Sequence, residues 1–153
     1  MHSRTLIREA VAGILKQETG LWAHVYESRI DYPRAVWPYL KIYADRDDNT
    51  RLSVHSPHTQ EHALSLNIVG LLKIPAGETE TIEDQMDAMA ALIEQTLTEE
   101  QLHGTLPLVK ELTLQSSQMD VILSTDDTIS HAEVTTNWLI KYMTLEGVPE
   151  TLL

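Results

Sequence analysis

The residue pattern with the clearest chemical meaning in this 153-residue sequence is H-x-x-E-H, formed by His58, Glu61 and His62. Inverzincin metallopeptidases use this spacing on a helix, where both imidazoles bind zinc and the glutamate acts as general base. Here Pro57 precedes the pattern and an alternating apolar strand, residues 62–74, follows it, so no room is left for that helix. The sequence therefore favours a solvated loop, and a small zinc hydrolase is the less favoured alternative.

A second pattern is acidic. Asp45, Asp47 and Asn49 have the spacing of the first ligands of a calcium-binding loop. Such a loop needs glycine at its sixth position and glutamate at its twelfth, where this sequence has Thr50 and Ser56. The pattern therefore predicts a polar, acidic turn and not a cation site.

Other catalytic signatures are missing from the sequence. None of the six glycines forms a phosphate-binding G-x-G-x-x-G or G-x-x-x-x-G-K motif, and there is no G-x-S-x-G nucleophile elbow. Cysteine is absent, which excludes disulfides, thiolate catalysis and cysteine-ligated metals. We therefore expect a protein that is not an enzyme and that needs no cofactor.

The charge balance excludes one class of ligand. Asp and Glu number 23 against 11 Lys and Arg, which gives a net charge of −12. Tight binding to a phosphate backbone requires a positive surface, so we expect no specific nucleic-acid binding. No apolar run approaches the length of a membrane span, and no targeting segment is expected.

The spacing of apolar residues predicts two amphipathic helices, at residues 4–18 and 81–97. Thr81 is the expected N-cap of the second helix. A capping-box pattern begins at Thr98 and predicts a short helical segment that ends near His103.

Alternation of apolar and polar residues predicts four main strands, at residues 36–44, 62–74, 108–115 and about 131–143. Asp45–Gln60 and Gln115–Ser130 are interpreted as a polar stretch and a polar arm. Neighbouring strands that are joined by loops favour antiparallel pairing. We therefore expect one α+β domain over residues 1–153, with two main helices on one face of a mostly antiparallel, mixed sheet.

The strand at residues 36–44 carries the most distinctive aromatic side chains. Trp37, Tyr39 and Tyr43 lie on the strand face opposite the main apolar one. They form either a second core layer or the anchors of an interface, since large amphipathic rings are enriched in both settings. Pro38 cannot donate a ladder hydrogen bond, which predicts that this strand lies near an edge of the sheet.

Five segments occur in a distinctive order along roughly residues 4–143: Asp31–Leu40 (DYPRAVWPYL), the strand Leu64–Ile74, the acidic-capped helix 81–97, Leu102–Leu112 (LHGTLPLVKEL) and Ala132–Tyr142 (AEVTTNWLIKY). This arrangement resembles the tail terminator (minor tail protein) family of long-tailed bacteriophages, of the lambda type. The chain differs from the shorter members in its longer Asp45–Gln60 segment and its fuller Gln115–Ser130 arm.

The resemblance implies a structural protein of the virion, at the head-proximal end of the tail, that assembles in the bacterial cytoplasm. Members form a hexameric ring that caps the completed tail tube, ends its polymerisation and offers a surface to the head. The implied partners are further copies of the chain, the major tail tube protein and the head–tail connector protein. DNA passes through the ring without specific binding. Another phage head–tail joining or tail-completion protein is the main alternative.

A ring of this kind needs an interface, and the segment Trp37–Asp48 is the candidate for one side of it. Its acidic residues are Asp45, Asp47 and Asp48. They are expected to face basic groups of a neighbouring copy, such as Arg29, Arg34 or Lys110.

Overall fold

A computed structural model describes residues 1–18, 20–30, 36–74, 81–123 and 130–153. Within these ranges the elements follow in the order α1 (Ser3–Lys16), β1 (His24–Tyr26), β2 (Tyr39–Arg51), β3 (Thr59–Lys73), α2 (Ile82–Thr96), α3 (Glu99–Thr105), β4 (Glu111–Ile122) and β5 (His131–Leu145). The expected α+β class is confirmed. None of the helices in the described ranges is long and apolar enough to span a membrane.

The five strands form one sheet in the order β1-β2-β3-β5-β4. Only the short β1 is parallel to its neighbour, so the sheet is mixed and mostly antiparallel, as expected. β1 pairs with β2 no further than Lys41, and from Ile42 onwards β2 has no described strand on its outer side. We call this part of β2 the β2 edge. The opposite edge of the sheet is β4.

The helices cover one face of the sheet, and the main core lies between the two layers. Alternate residues of β5, from Ala132 to Thr144, are buried, as the alternation of that strand predicted. They pack with the apolar stripes of α1 and α2, for which Leu15 and Met89 are examples at 0% exposure. The predicted two-layer arrangement, with the main helices on one face, is therefore confirmed.

The two polar segments are more regular than predicted, and the interpretation as loops is wrong for most of their length. β2 continues to Arg51 and β3 begins at Thr59, so only residues 52–58 connect them. β4 likewise continues to Ile122, and the part of that arm at residues 124–129 lies outside the described residues. The side chains of both strand extensions are mostly exposed to solvent. The apolar alternation is therefore lost there, although the backbone pairing with the neighbouring strand continues.

The helix ends agree with the sequence at one position and agree in part at another. The Thr98 hydroxyl accepts a hydrogen bond from the backbone N–H of Gln101 at 3.2 Å, as the capping box predicted. Thr81 is the N-cap residue of α2, as expected, but its side chain makes no capping hydrogen bond. Its backbone is already helical, and its hydroxyl oxygen accepts from the side-chain amide of Gln85 instead.

Candidate interaction site

The aromatic residues of the predicted interface segment lie on the sheet face away from the helices, as the alternation indicated. Tyr39 is only 2% exposed and packs with Val69 and Leu71 of β3 in a second, smaller cluster. Trp37 is half-buried and meets Tyr39 edge-on, with ring centroids 5.0 Å apart. Of the two alternatives for Tyr39, this burial agrees with the second core layer: because β3 is apolar on both faces here, the chain itself covers the ring.

Tyr43 is also half-buried, and a basic residue of the same chain covers its ring. The Arg29 guanidinium carbon lies 5.2 Å from the ring centroid, and the side chain donates a hydrogen bond to the Ala44 carbonyl. Arg29 is therefore engaged within the chain, by a cation–π contact and by the backbone. Of the other expected basic partners, Lys110 directly precedes β4 on the far side of the sheet, and Arg34 lies outside the described residues.

The three acidic residues of the segment do not form one surface. Asp45 is exposed within a bulge of β2, between Ala44 and Arg46. Asp48 is exposed and forms an ion pair with Arg46 at 2.8 Å, and exposed pairs of this kind contribute only about 0.2–1 kcal/mol. Asp47 points towards the helix layer, because the extra residue in the bulge reverses the alternation of the strand. Of these three carboxylates, those of Asp45 and Asp48 are thus the exposed ones.

Asp47 belongs to a buried polar cluster with His62, Tyr142 and Thr144, which we call the Asp47 cluster. The Tyr142 hydroxyl donates to Asp47 Oδ2 at 2.7 Å, and His62 Nδ1 lies 3.3 Å from Asp47 Oδ1. His62 Nε2 lies 2.8 Å from the Thr144 hydroxyl oxygen. The cluster therefore satisfies its own polar groups across three strands, as buried polar groups require.

The pKa values of two ionisable groups in this region, Tyr142 and His2, are shifted by their surroundings. Burial, and then the hydrogen bond and negative charge of Asp47, raises the pKa of the Tyr142 phenol, which therefore stays a donor at neutral pH. Burial, with a smaller effect of the Arg4 charge, lowers the pKa of the His2 imidazole. His2 caps α1, because its Nδ1 accepts from the Arg4 backbone N–H.

The hydrogen-bond order in the Asp47 cluster is that of a catalytic triad, with Thr144 as hydroxyl, His62 as base and Asp47 as orienting carboxylate. A nucleophile must also be reached by its substrate. Thr144 is 1% exposed and His62 is 4% exposed. The arrangement is therefore suited to joining strands and not to attacking a substrate.

The H-x-x-E-H residues lie on extended chain and not on a helix. His62 is within β3, and His58 directly precedes that strand, with its Nδ1 2.9 Å from the Ser53 carbonyl oxygen. Four extended residues span about 13 Å, whereas two imidazole ligands of one zinc each bind it at about 2.0–2.1 Å. This separation of the two histidines therefore argues against the zinc-hydrolase alternative. Within the described ranges, no group of three or more His, Asp or Glu side chains could hold a metal ion.

A polar cavity of about 470 Å³ lies beside the β2 edge. Its lining includes four of the chain's 11 basic residues: Arg4, Arg8, Arg29 and Arg46. Glu27, Asp45 and Asp47 also line the cavity and offset most of this positive charge; Glu27 Oε1 lies 3.7 Å from Arg8 Nε. The sequence analysis missed this site, because its arginines come from three separate segments. The only sequence signal is that Arg4 and Arg8 share one face of α1.

Similarity to known proteins is found among solved structures. No family model matches the sequence, and no curated protein matches it. Among solved structures, the fold is similar to a chain from the virion of a native gene transfer agent (GTA) particle, at 14% sequence identity and a TM-score of 0.47. The alignment covers 88% of this chain and 93% of that chain.

Proposed function

We propose that this chain is a structural protein of a long-tailed phage or phage-like particle, which assembles as a ring and caps the completed tail tube. The observation that carries the proposal is the difference between the two edges of the sheet. The β2 edge adjoins an arginine-lined cavity, whereas β4 ends in exposed apolar side chains. A closed ring of identical subunits needs two unlike surfaces on each subunit, and this domain has them on opposite sides.

Two further observations support a role in assembly over a role in catalysis. The Asp47 cluster, which has a triad-like order of hydrogen bonds, is buried. The His58 and His62 pattern, the strongest catalytic candidate in the sequence, is on extended chain. A ring protein needs neither a reachable nucleophile nor a metal ion.

The partners follow from the resemblance to tail terminators. They are five further copies of the chain in a hexamer, the major tail tube protein on one side and the head–tail connector protein on the other. The net charge of −12 suits a ring through which DNA passes, because like charge keeps phosphates from adhering.

The test is electron microscopy of tails that are assembled with and without this protein. We expect tails of uncontrolled length in its absence, and restored length when the intact chain is supplied in trans. Tails of normal length that fail to join heads would overturn the terminator role in favour of a head–tail joining or completion protein.

A further inference from the structure

A mostly apolar groove of about 690 Å³ runs along one flank of α2. One wall is a helical face on which Thr81, Gln85 and the exposed Ala88 follow at helical spacing. The other wall is the Gly20–Ala23 segment together with Pro38. We call this the α2 groove. Its size lies within the roughly 300–1,000 Å³ that is usual for binding clefts.

The end of β4 exposes a run of large apolar side chains that has no evident function within the chain. Met119 is 40% exposed, Val121 41%, Ile122 44% and Leu123 65%. Single exposed apolar residues are ordinary, but here four fall within five positions; Met119 and Val121 share one face of β4, and Ile122 lies on the other. These residues lie at the end of an edge strand, whose outer N–H and C=O groups have no described strand partner. We call Met119–Leu123 the β4 end.

The α2 groove and the β4 end lie at the same end of the sheet but towards opposite edges of it. Leu72, which lines the groove, pairs with Ala132, and Ala132 pairs with Val121 of the β4 end. The groove opens towards the side of β1 and β2, because Pro38 and Ala23 line it, whereas β4 is the opposite edge. Pairing with β5 through Ile122 holds the β4 end in place, so it cannot enter the groove of its own chain.

We propose that the β4 end of one copy occupies the α2 groove of the next copy. The proposal rests on the ring assembly of the proposed function: one ring surface is the β4 end, and the other is the α2 groove, which opens towards the β1–β2 side of the subunit. Apolar side chains of the β4 end enter the mostly apolar groove, whose lining also includes the polar side chains of Asp84 and Gln85. These two side chains can hydrogen-bond the outer backbone groups of the edge strand. Because the surfaces are unlike and lie on opposite sides, each copy repeats the same contact until the ring closes.

The absence of cysteine makes a cross-linking test free of background. The double variant Ala88→Cys with Val121→Cys is treated with a short bismaleimide under conditions in which the protein assembles. We expect a ladder of covalent multimers on a denaturing gel, and no multimers from either single variant. The matched control pairs Ala88→Cys with Val54→Cys. Val54 is 88% exposed in the β2–β3 connection, and this pair is expected to give no ladder.

A second variant tests the contact without a cross-linker. Val121→Asp places a charge at a position that is 41% exposed, so the melting temperature is expected to stay within about 2 °C of the parent, as for surface substitutions. Assembly, measured by sedimentation, is expected to be lost. Val54→Asp is the control and is expected to keep both properties.

Three results would overturn the inference. Covalent dimers from Val121→Cys alone would mean that β4 edges pair with each other. Rings that survive Val121→Asp, or a double-cysteine variant that gives no more multimers than its control, would place the interface elsewhere. None of these results would contradict the proposed function, because that function is tested separately, by the length of tails that are assembled without the protein.

Discussion

The imidazole ring of His62 lies flat against the phenol ring of Tyr142, with centroids 4.4 Å apart and 11° between the ring planes. The two residues are directly opposite each other on β3 and β5, so the sheet register itself produces the contact. Asp47 connects both rings to β2. The three strands are therefore joined by polar contacts just beyond the last apolar pair of the core, Leu64 and Ile140.

The variant Tyr142→Phe tests how much the hydrogen bond from Tyr142 to Asp47 contributes to the stability of the fold. The variant keeps the ring stack but leaves Asp47 Oδ2 without its donor, so we expect the free energy of unfolding to fall by about 1–3 kcal/mol. Urea denaturation measures the loss. Tyr43→Phe removes a hydroxyl from a half-buried ring outside the Asp47 cluster and is the control. If both variants lose the same amount, the Asp47 contact is not the source.

The same hydroxyl predicts a dependence of stability on alkaline pH. Because the pKa of Tyr142 is raised in the folded chain, the unfolded chain releases this proton first, above about pH 10. The stabilisation is complete below that pH and falls above it, by at most about 1.4 kcal/mol per pH unit from this group. The free energies of unfolding of the parent and of Tyr142→Phe are measured between about pH 8 and pH 11. The difference between them should become smaller as the pH rises. A constant difference would contradict the raised pKa.

The variant Trp37→Ala tests whether Trp37 belongs to the second, smaller cluster or is an anchor of an interface. Its half-buried ring packs edge-on against Tyr39, so Trp37→Ala is expected to lower the free energy of unfolding by about 1–2 kcal/mol, less than a fully buried Trp loses. Thermal melting and sedimentation are measured on the same sample. We expect any loss of assembly to follow the loss of folded protein. If assembly is lost while the melting temperature is unchanged, Trp37 is an interface anchor instead.

His58 provides the test of metal binding. Because His58 and His62 are on extended chain, we expect less than one zinc per chain in the purified protein, and the same content after His58→Ala. Elemental analysis and circular dichroism check the metal content and the fold. Zinc that copurifies one-to-one with the parent and is lost from the variant would overturn the structural interpretation of this motif.

The sequence predicted those parts of the fold in which burial imposes a period. The apolar stripes of α1 and α2 and the inward face of β5 were read correctly, because one side of each element faces the core. The outer halves of β2 and β4 were not predicted as strands. Both faces of these extensions are largely exposed, so their amino-acid pattern carries no alternation, although their backbones remain paired.

The candidate site was harder to predict, because the extra residue in the β2 bulge reverses the side-chain directions of the residues that follow it. The bulge at Asp45 leaves no mark in the composition, yet it turns Asp47 from the surface into a buried cluster. The partners of Asp47 are more distant still, since Tyr142 lies 95 residues along the chain. Spacing within a short motif cannot predict contacts of that range. The burial of Tyr39, in contrast, had a readable signal in the two-sided apolar run of β3.

The position of β3 in the middle of the sheet sets the order in which the nascent chain can fold. β2 is complete before β3 leaves the ribosome, but β5, the other neighbour of β3, is made only after α2, α3 and β4; Thr59 pairs with Leu145. Until then one long side of β3 is an open edge, which attracts other strands, and such distant pairing also slows folding. The danger of aggregation is therefore greatest during translation, and a truncation that removes β5 makes that open edge permanent.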